Sequence, residues 1–430
     1  MTATAHAPAI APCGARPPAR IAMVSFHTSP AALAGKGDAG GMNVYIREMG
    51  AAIAALGVAV DLYTRTAGPG APSESLEPGL TLNRLPAGPA RPLPKEELAD
   101  LAGQFAAALA QAPRPNLVHS HYWLSGLAGL PAARAWGVPH VQSLHTVAAL
   151  KNRLLAPGDT PEPPQRLAAE RRLVAASDLV LAASAAERDA IEADIEADDA
   201  GARHSPAGAT PIRVVAPGVD TSRFHPGPGP DPASLPPAAR RAAGYLMMVG
   251  RVQPLKGQDL AVEALARIPA AIRPALIVTG APSEAHLDYA AAVQDRVRQL
   301  GLDRDVVFLG PQQPDRLAAL LRGGRAALMP SRSETYGMVA VEAAASGLPV
   351  IAAATTGLRH SVADGVSGLH VEGRDPRDWS DAIVRLATDR QLAARLARRG
   401  AQWARGRTWE RAGRRLLEAY CAAVTGTVLV

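Results

Sequence analysis

The strongest constraint on this chain is a rhythm: short apolar runs, each ending in glycine or a polar residue and each followed by a helical stretch. Ile21-Ala22-Met23-Val24-Ser25-Phe26 begins it, and Val58 to Thr64 follows after a helical pattern over about 43–56 that Gly57 stops. Leu117 to Ser120, Pro139 to Leu144 and Leu179 to Ala182 continue it, with helical patterns over about 95–110, 124–136, 165–176 and 184–198. Such short apolar runs, alternating with helices, predict parallel strands covered on both faces by crossover helices. The rhythm restarts at Tyr245-Leu246-Met247-Met248-Val249-Gly250. It proceeds through 275–279, 306–309, 326–329, 350–353 and 368–371, with helices at about 257–267, 284–300, 314–321, 338–346 and 376–388. The expected class is therefore α/β, with two Rossmann-like domains of mostly parallel sheet.

A length of 430 residues suits two domains. Residues 1–19, rich in Ala and Pro, read as a flexible N-terminal tail, 20–223 as the first domain and 224–405 as the second. Residues 406–430 read as a C-terminal helix that packs back toward the first domain. The Pro/Gly-rich stretch within 224–243 is the expected hinge, with few contacts crossing it. Apolar residues make up 48% and aromatics only 4%, so Ala, Leu and Val must fill the cores. Cys13 and Cys421 stand at opposite ends, which excludes a disulfide framework and a four-cysteine metal site. No apolar run reaches the length of a membrane span, and Met1 to Arg20 lacks the apolar segment of a signal peptide. No integral membrane segment and a cytoplasmic location are expected. The net charge of +6 is mild, and nucleic acid is not an expected partner. The arginine-rich stretch 391–420 can be read as a membrane-surface or nucleic-acid helix. Trp403, Trp409 and Leu417 favour a packing helix with a charged outer face.

Three stretches carry the chemistry. Gly35, Gly37 and Gly40 spell a formal G-x-G-x-x-G with Asp61 downstream, but eight residues separate the first strand from the loop, unlike a dinucleotide fingerprint. Gly40 and Gly41 instead open a helix whose amides can meet an anion. In the second half, Gly250-Arg251-Val252-Gln253-Pro254-Leu255-Lys256-Gly257 follows a strand directly. Its arginine fork and lysine point charge suit a pyrophosphate. The chain has only four lysines, Lys36, Lys95, Lys151 and Lys256. Then Pro330-Ser331-Arg332-Ser333-Glu334-Thr335-Tyr336-Gly337-Met338 leads into a helix carrying Glu342. That acid sits among small apolar residues and needs a partner, either ribose hydroxyls or a core arginine. His27, His119, His121 and His145 stand at strand ends without zinc-site spacing. Asp303-Arg304-Asp305 precedes its strand and reads as a turn rather than a metal motif.

The motifs His27-Thr28-Ser29-Pro30, Gly37 to Asn43, His119 to Gly126, His145-Thr146 with Lys151-Asn152, and Asp159 to Glu162 go together with the pairs Arg251…Lys256 and Glu334…Glu342. From 21 to about 422 the chain resembles the family 4 retaining glycosyltransferases of the GT-B fold. Within that family it is most similar to the branch acting on inositol phosphate, with the sucrose-phosphate synthases second. The resemblance implies transfer of a hexose, N-acetylglucosamine, from a UDP-sugar to a phosphorylated polyol such as 1D-myo-inositol 3-phosphate. Fructose 6-phosphate, a glycolipid or a secondary-metabolite sugar stand as alternative acceptors. A non-catalytic nucleotide-sugar or nucleic-acid binder is a more distant reading. The resemblance assigns catalysis to His145, Arg251, Lys256 and Glu334. It assigns donor binding to Gly40, Gly41, Arg251, Lys256, Glu334, Thr335, Tyr336, Gly337, Met338 and Glu342, and acceptor binding to Asn43, Lys95, Tyr122, Thr146 and Arg166. It implies no metal and no cofactor beyond the UDP-sugar co-substrate, small molecules as partners, and leaves a homodimer open. Gln142-Ser143-Leu144, Gly310-Pro311-Gln312 and Arg322-Gly323-Gly324-Arg325 depart from the family pattern and bear on substrate preference.

Overall fold

The structure is a computed structural model describing residues 17–35, 39–156, 159–199 and 210–426. Most of the expected 1–19 tail, and Lys36, Gly37 and Asp38 of the glycine loop, lie outside the described residues.

The first domain holds β1 (Arg20–Val24), β2 (Ala59–Arg65), β3 (Ser73–Glu77), β4 (Leu80–Leu85), β5 (Leu117–His121), β6 (His140–Ser143), β7 (Leu179–Ala182) and β8 (Ile212–Val214). They form one sheet in the order β3-β4-β2-β1-β5-β6-β7-β8, parallel except for the β3–β4 pair. The second domain holds β9 (Tyr245–Val249), β10 (Ala275–Thr279), β11 (Val306–Phe308), β12 (Ala326–Met329), β13 (Val350–Ala353) and β14 (Gly368–Val371). Their order is β11-β10-β9-β12-β13-β14, all parallel. The order reverses beside β1 in one sheet and beside β9 in the other, and ligands of open α/β sheets bind at the carboxyl edge of such points. The loops beyond both edges meet. Ala281 N–H donates to Gly35 O at 3.1 Å, Ser184 Oγ to Thr335 O at 2.7 Å, and the Thr335 hydroxyl to His145 O.

Two expectations need correction. The helix expected over 95–110 begins only at Ala102, and Lys95–Glu97 and Ala99–Leu101 are 3-10 turns. The hinge expected at 224–243 is not a loose crossing. Arginines of the second domain fasten it: Arg316 Nη1 donates to Ser234 Oγ at 2.8 Å, Arg322 Nε to Pro228 O at 3.0 Å and Arg325 Nη2 to Ala242 O at 3.1 Å. The real crossing lies just before it, where Val219 N–H donates to Arg407 O at 2.7 Å and Gly218 lies against the backbone of Thr408 and Trp409. Two chain segments running side by side leave no room there for a side chain.

Beyond this crossing the helix Trp409–Thr425 lies on the helix Gly41–Ala55, so Leu416, Leu417, Tyr420 and Cys421 share a core with Ile46, Met49 and Ile53. The last helix thus completes the first domain. No helix among the described residues is long and apolar enough to cross a membrane.

Candidate active site

Three non-glycine residues among those described have positive φ: Tyr122 at 76°, His145 at 61° and Thr356 at 37°. Tyr122 follows β5, His145 lies two residues beyond β6, and Thr356 three beyond β13, all at the carboxyl edges that face the cleft. Backbone held in this region collects where a site over-determines it. Tyr122 N–H donates to Ser143 O at 2.8 Å, His145 O accepts the Thr335 hydroxyl, and Thr356 Oγ1 accepts Glu334 N–H at 2.9 Å.

On the first-domain side, the loop after β1 carries His27, whose ring centre lies 4.6 Å from that of Tyr122. Burial drives its pKa down to about 3, and the charges of Lys95, Arg166 and Arg251 push the same way. Cations from both domains therefore contribute to the potential at one imidazole. Burial also holds His145 at about 3, so it is neutral at physiological pH. Beneath it lies a carboxyl that the sequence reading missed. Glu187 is buried, and desolvation raises it to about 7, with the hydrogen bond from the Ala183 amide pulling it down and the charge of Glu170 pushing it up. Its Oε2 accepts Ala183 N–H at 2.7 Å.

Arg166 is only 3% exposed. Its Nε donates to Glu170 at 2.6 Å, its Nη1 pairs with Glu162 at 2.9 Å, and its Nη2 reaches both Thr146 O and Thr146 Oγ1 at 2.8 Å. The guanidinium lies 4.7 Å over the Tyr122 ring. Glu162 also holds Lys151, and burial opposing these two cations leaves its pKa at about 2. Arg166, assigned by resemblance to the acceptor, thus spends four of its five N–H donors on protein partners and fixes Thr146 and Tyr122. Asn43 is likewise committed. Its Oδ1 accepts Gly40 N–H at 2.9 Å, and its Nδ2 donates to Thr28 Oγ1 at 2.9 Å and Ser29 O at 2.8 Å. It holds the glycine loop onto the helix start. Lys95, with 40% of its side chain exposed and, among the described residues, only Glu96 at 4.0 Å, and the exposed Thr146 are the open groups of this set.

On the second-domain side, Lys256 Nζ pairs with Glu334 Oε1 at 2.6 Å, and Ser331 Oγ donates to the same oxygen at 2.9 Å. The sequence places these residues 78 positions apart and gives no sign of the pairing. Gly257, at φ 75°, turns the lysine loop into its helix, and a Cβ there would meet Pro330 O at 2.5 Å. Gly337, at φ 92°, caps the helix Met338–Ala345. The first amides of that helix have no intrahelical acceptor and carry the positive end of its dipole. Met338 reaches across, its Cε 3.1 Å from where a Cβ on Gly41 would stand. Tyr336 is buried, and its hydroxyl feels the charge of Arg407, whose guanidinium stacks 3.5 Å over Trp403. Glu342 has no ion-pair partner among the described residues. Burial first, then Glu48 and Asp220 against Arg223, raise it to about 7.

The remaining motifs are structural. Asp305 pairs with Arg241 at 2.6 Å and Arg273 at 3.0 Å. Gln312 folds back onto the carbonyls of Leu309, Gly310 and Pro311. No group of three metal-ligating side chains occurs among the described residues.

Two α/β domains whose switch points face each other across cations and open helix amides define a GT-B glycosyltransferase. The model of the Glycosyl transferase 4-like domain matches residues 40–208, and that of Glycosyl transferases group 1 matches 239–403. A D-inositol 3-phosphate glycosyltransferase of Stackebrandtia nassauensis is 41% identical over 434 residues, covering 97% of this chain and 94% of its own length. One of Kribbella flavida is 41% identical over 428 residues, covering 95% and 96%. The chain belongs to this glycosyltransferase family. Among solved structures, sucrose-phosphate synthase from Thermosynechococcus elongatus superposes with a TM-score of 0.83 at 28% identity, over 95% of this chain and 99% of its own.

Proposed function

We propose that the protein transfers a hexose, N-acetylglucosamine, from a UDP-sugar to a phosphorylated polyol such as 1D-myo-inositol 3-phosphate, retaining the α configuration. The observation that carries the reading is the meeting of the two carboxyl edges, where Thr335, next to the Lys256–Glu334 pair of one domain, donates to His145 O on the wall that holds Arg166 and Lys95. Two phosphorylated substrates meeting between domains call for cations on both walls. The names of the relatives above, all acting on a phosphorylated acceptor, support it.

The second domain takes the donor. Arg251, the spare N–H donors of Lys256 and the helix amides from Thr335 to Met338 surround the diphosphate, and they gain most as charge grows on the departing phosphate. Glu342 and Glu334 take ribose and hexose hydroxyls. Gly40 and Gly41, kept bare and held by Asn43, close over the diphosphate from the first domain. Double displacement needs an unencumbered carboxylate beneath the anomeric carbon. Glu334, already accepting Lys256 and Ser331, is poorly suited to that part. Same-face attack fits better, with the leaving phosphate taking the acceptor's proton. His145 is neutral and can hydrogen-bond the sugar without adding charge. On the acceptor side Lys95 and the Thr146 hydroxyl meet the phosphate, while Arg166 and Tyr122 shape the wall.

The test is release of nucleoside diphosphate from a panel of UDP- and GDP-sugars offered to inositol phosphate, fructose 6-phosphate and free inositol. Turnover is expected only with a UDP-sugar and is fastest with inositol phosphate. Lys95→Ala should raise the acceptor KM about 10- to 100-fold, the worth of one hydrogen bond to a charge, and leave the donor KM nearly unchanged. Equal effects on both would overturn the acceptor assignment.

A further inference from the structure

Among the described residues the His145 ring has one hydrogen-bonding neighbour: its Nε2 lies 2.9 Å from Nδ1 of His121. Burial lowers the pKa of both residues, so both rings are neutral near pH 7. A neutral imidazole carries one N–H, and which nitrogen bears it is set by the bond the other makes. Two arrangements are open. If His145 donated through Nε2, His121 would carry its proton on its own Nε2. That atom is sealed from solvent and has no partner among the described residues. A buried N–H without an acceptor is rarer and costlier than an idle lone pair. If His121 donates through Nδ1, only a lone pair is buried, and His145 carries its proton on Nδ1. That nitrogen has no partner among the described residues and is not among the sealed atoms, on a residue that is half-buried at the cleft.

We propose that His121 is a positioning residue that locks His145 in the tautomer protonated on Nδ1, so that His145 meets a substrate oxygen as a hydrogen-bond donor. The surroundings hold His121 to this part. Its ring centre is 4.0 Å from that of His119, and the edge-on Tyr45 ring braces both His121 at 5.9 Å and His145 at 5.1 Å. His119 is itself fixed. Ser143 Oγ donates to Leu181 O at 3.2 Å and so accepts from His119 Nε2 at 2.9 Å. His119 Nδ1 then accepts the Tyr420 hydroxyl at 2.6 Å. The C-terminal helix, through Tyr420, thereby anchors the stack behind His145. The identity of the oxygen rests on the transferase reading above; the tautomer does not.

The experiment uses the full chain with 15N-labelled histidine and long-range 1H–15N spectra recorded without substrate, the His145 signals being assigned by their loss in His145→Gln. The expected wild-type spectrum has His145 protonated on Nδ1. In His121→Leu that preference is lost and kcat falls about tenfold or more, as when a supporting hydrogen bond is removed. In His121→Asn, whose amide nitrogen replaces Nδ1 as donor, the tautomer and most of the rate return. A wild-type His145 protonated on Nε2 would overturn the proposal, as would an Asn variant no better than the Leu variant. Should His121→Leu fail to fold, the wild-type and Asn spectra decide. An Nδ1-protonated His145 in a protein that turns over no UDP-sugar would instead defeat the transferase reading alone.

Discussion

At the scale of single residues, Arg166 and Lys95 look alike in sequence, two basic residues matched to one phosphate, and the fold gives them different tasks. Arg166 stands between Glu162 and Glu170 at 3% exposure, and removing one member of a buried ion-pair network leaves the others uncompensated. Arg166→Ala should therefore destabilise the protein by about 3–5 kcal/mol, read as a lower urea midpoint. Lys95→Ala, on an exposed side chain, should stay within about 0.5 kcal/mol of the parent. Equal midpoints for the two variants would contradict the assignment of Arg166 as a wall-holding residue. The motifs themselves were readable, because glycines beside charges at strand ends have few other uses. The pairings were not. Glu162, Arg166 and Glu170 recur every four residues, the spacing of a solvated helix face, and only the fold turns that face inward. Lys256 with Glu334, and His121 with His145, join residues that nothing in the local sequence links.

At the scale of elements, the contact between the helices Gly41–Ala55 and Trp409–Thr425 ties the glycine loop to the far end of the chain. They approach closely at Gly413, where a Cβ would stand 2.8 Å from Ala52 Cβ and 3.3 Å from its carbonyl carbon. Neither neighbour can swing aside, since one is a methyl on the backbone and the other is backbone itself. Gly413→Ala should force the helices apart and cost about 1–3 kcal/mol despite the better helix propensity of alanine, measured by denaturant unfolding. At Gly50 a Cβ would meet the tip of Leu80 at 2.9 Å, which can turn away. Gly50→Ala should therefore cost clearly less, and the reverse ranking would refute the close approach. Most apolar strands were plain from their runs, since a strand buried on both faces has no polar alternation to disguise it. β3, Ser-Glu-Ser-Leu-Glu on an exposed edge, carries no such run and went unseen. Likewise the 224–243 segment has the composition of a linker, and the arginines that fasten it are distant in sequence.

At the scale of the whole molecule, buried titratable groups are divided unequally between the domains. His27, His140 and His145 are held near pKa 3, and His119 and His121 well below their ordinary value, by burial first in every case. All five belong to the first domain. Their folded pKa values lie below the unfolded 6.5, so the unfolded chain takes up more protons as the pH drops. The stability they contribute is complete above about pH 6.5 and is lost as the pH falls toward 3. Each of the three held near 3 removes about 1.4 kcal/mol per pH unit across that window, and His119 and His121 act in the same direction. Glu187, raised to about 7, acts the other way. Its contribution is complete below pH 4.5 and lost as the pH rises through 7, so between 7 and 4.5 it offsets one histidine of the five. The second domain has Glu342, also raised to about 7, and the partly exposed His286, lowered by burial. Acidification from pH 7 to 5 should thus weaken the first domain by several kcal/mol, a large part of the roughly 5–15 kcal/mol typical of a domain, and slightly strengthen the second. Hydrogen exchange, corrected for the intrinsic pH dependence of amide rates, should show protection falling in peptides from 20–199. Protection should fall with them in 409–425, because Tyr420 shares their core, and persist in 245–371. Loss beginning in 245–371, or in both domains together, would mean that the histidines of the first domain are not the groups that set its acid limit.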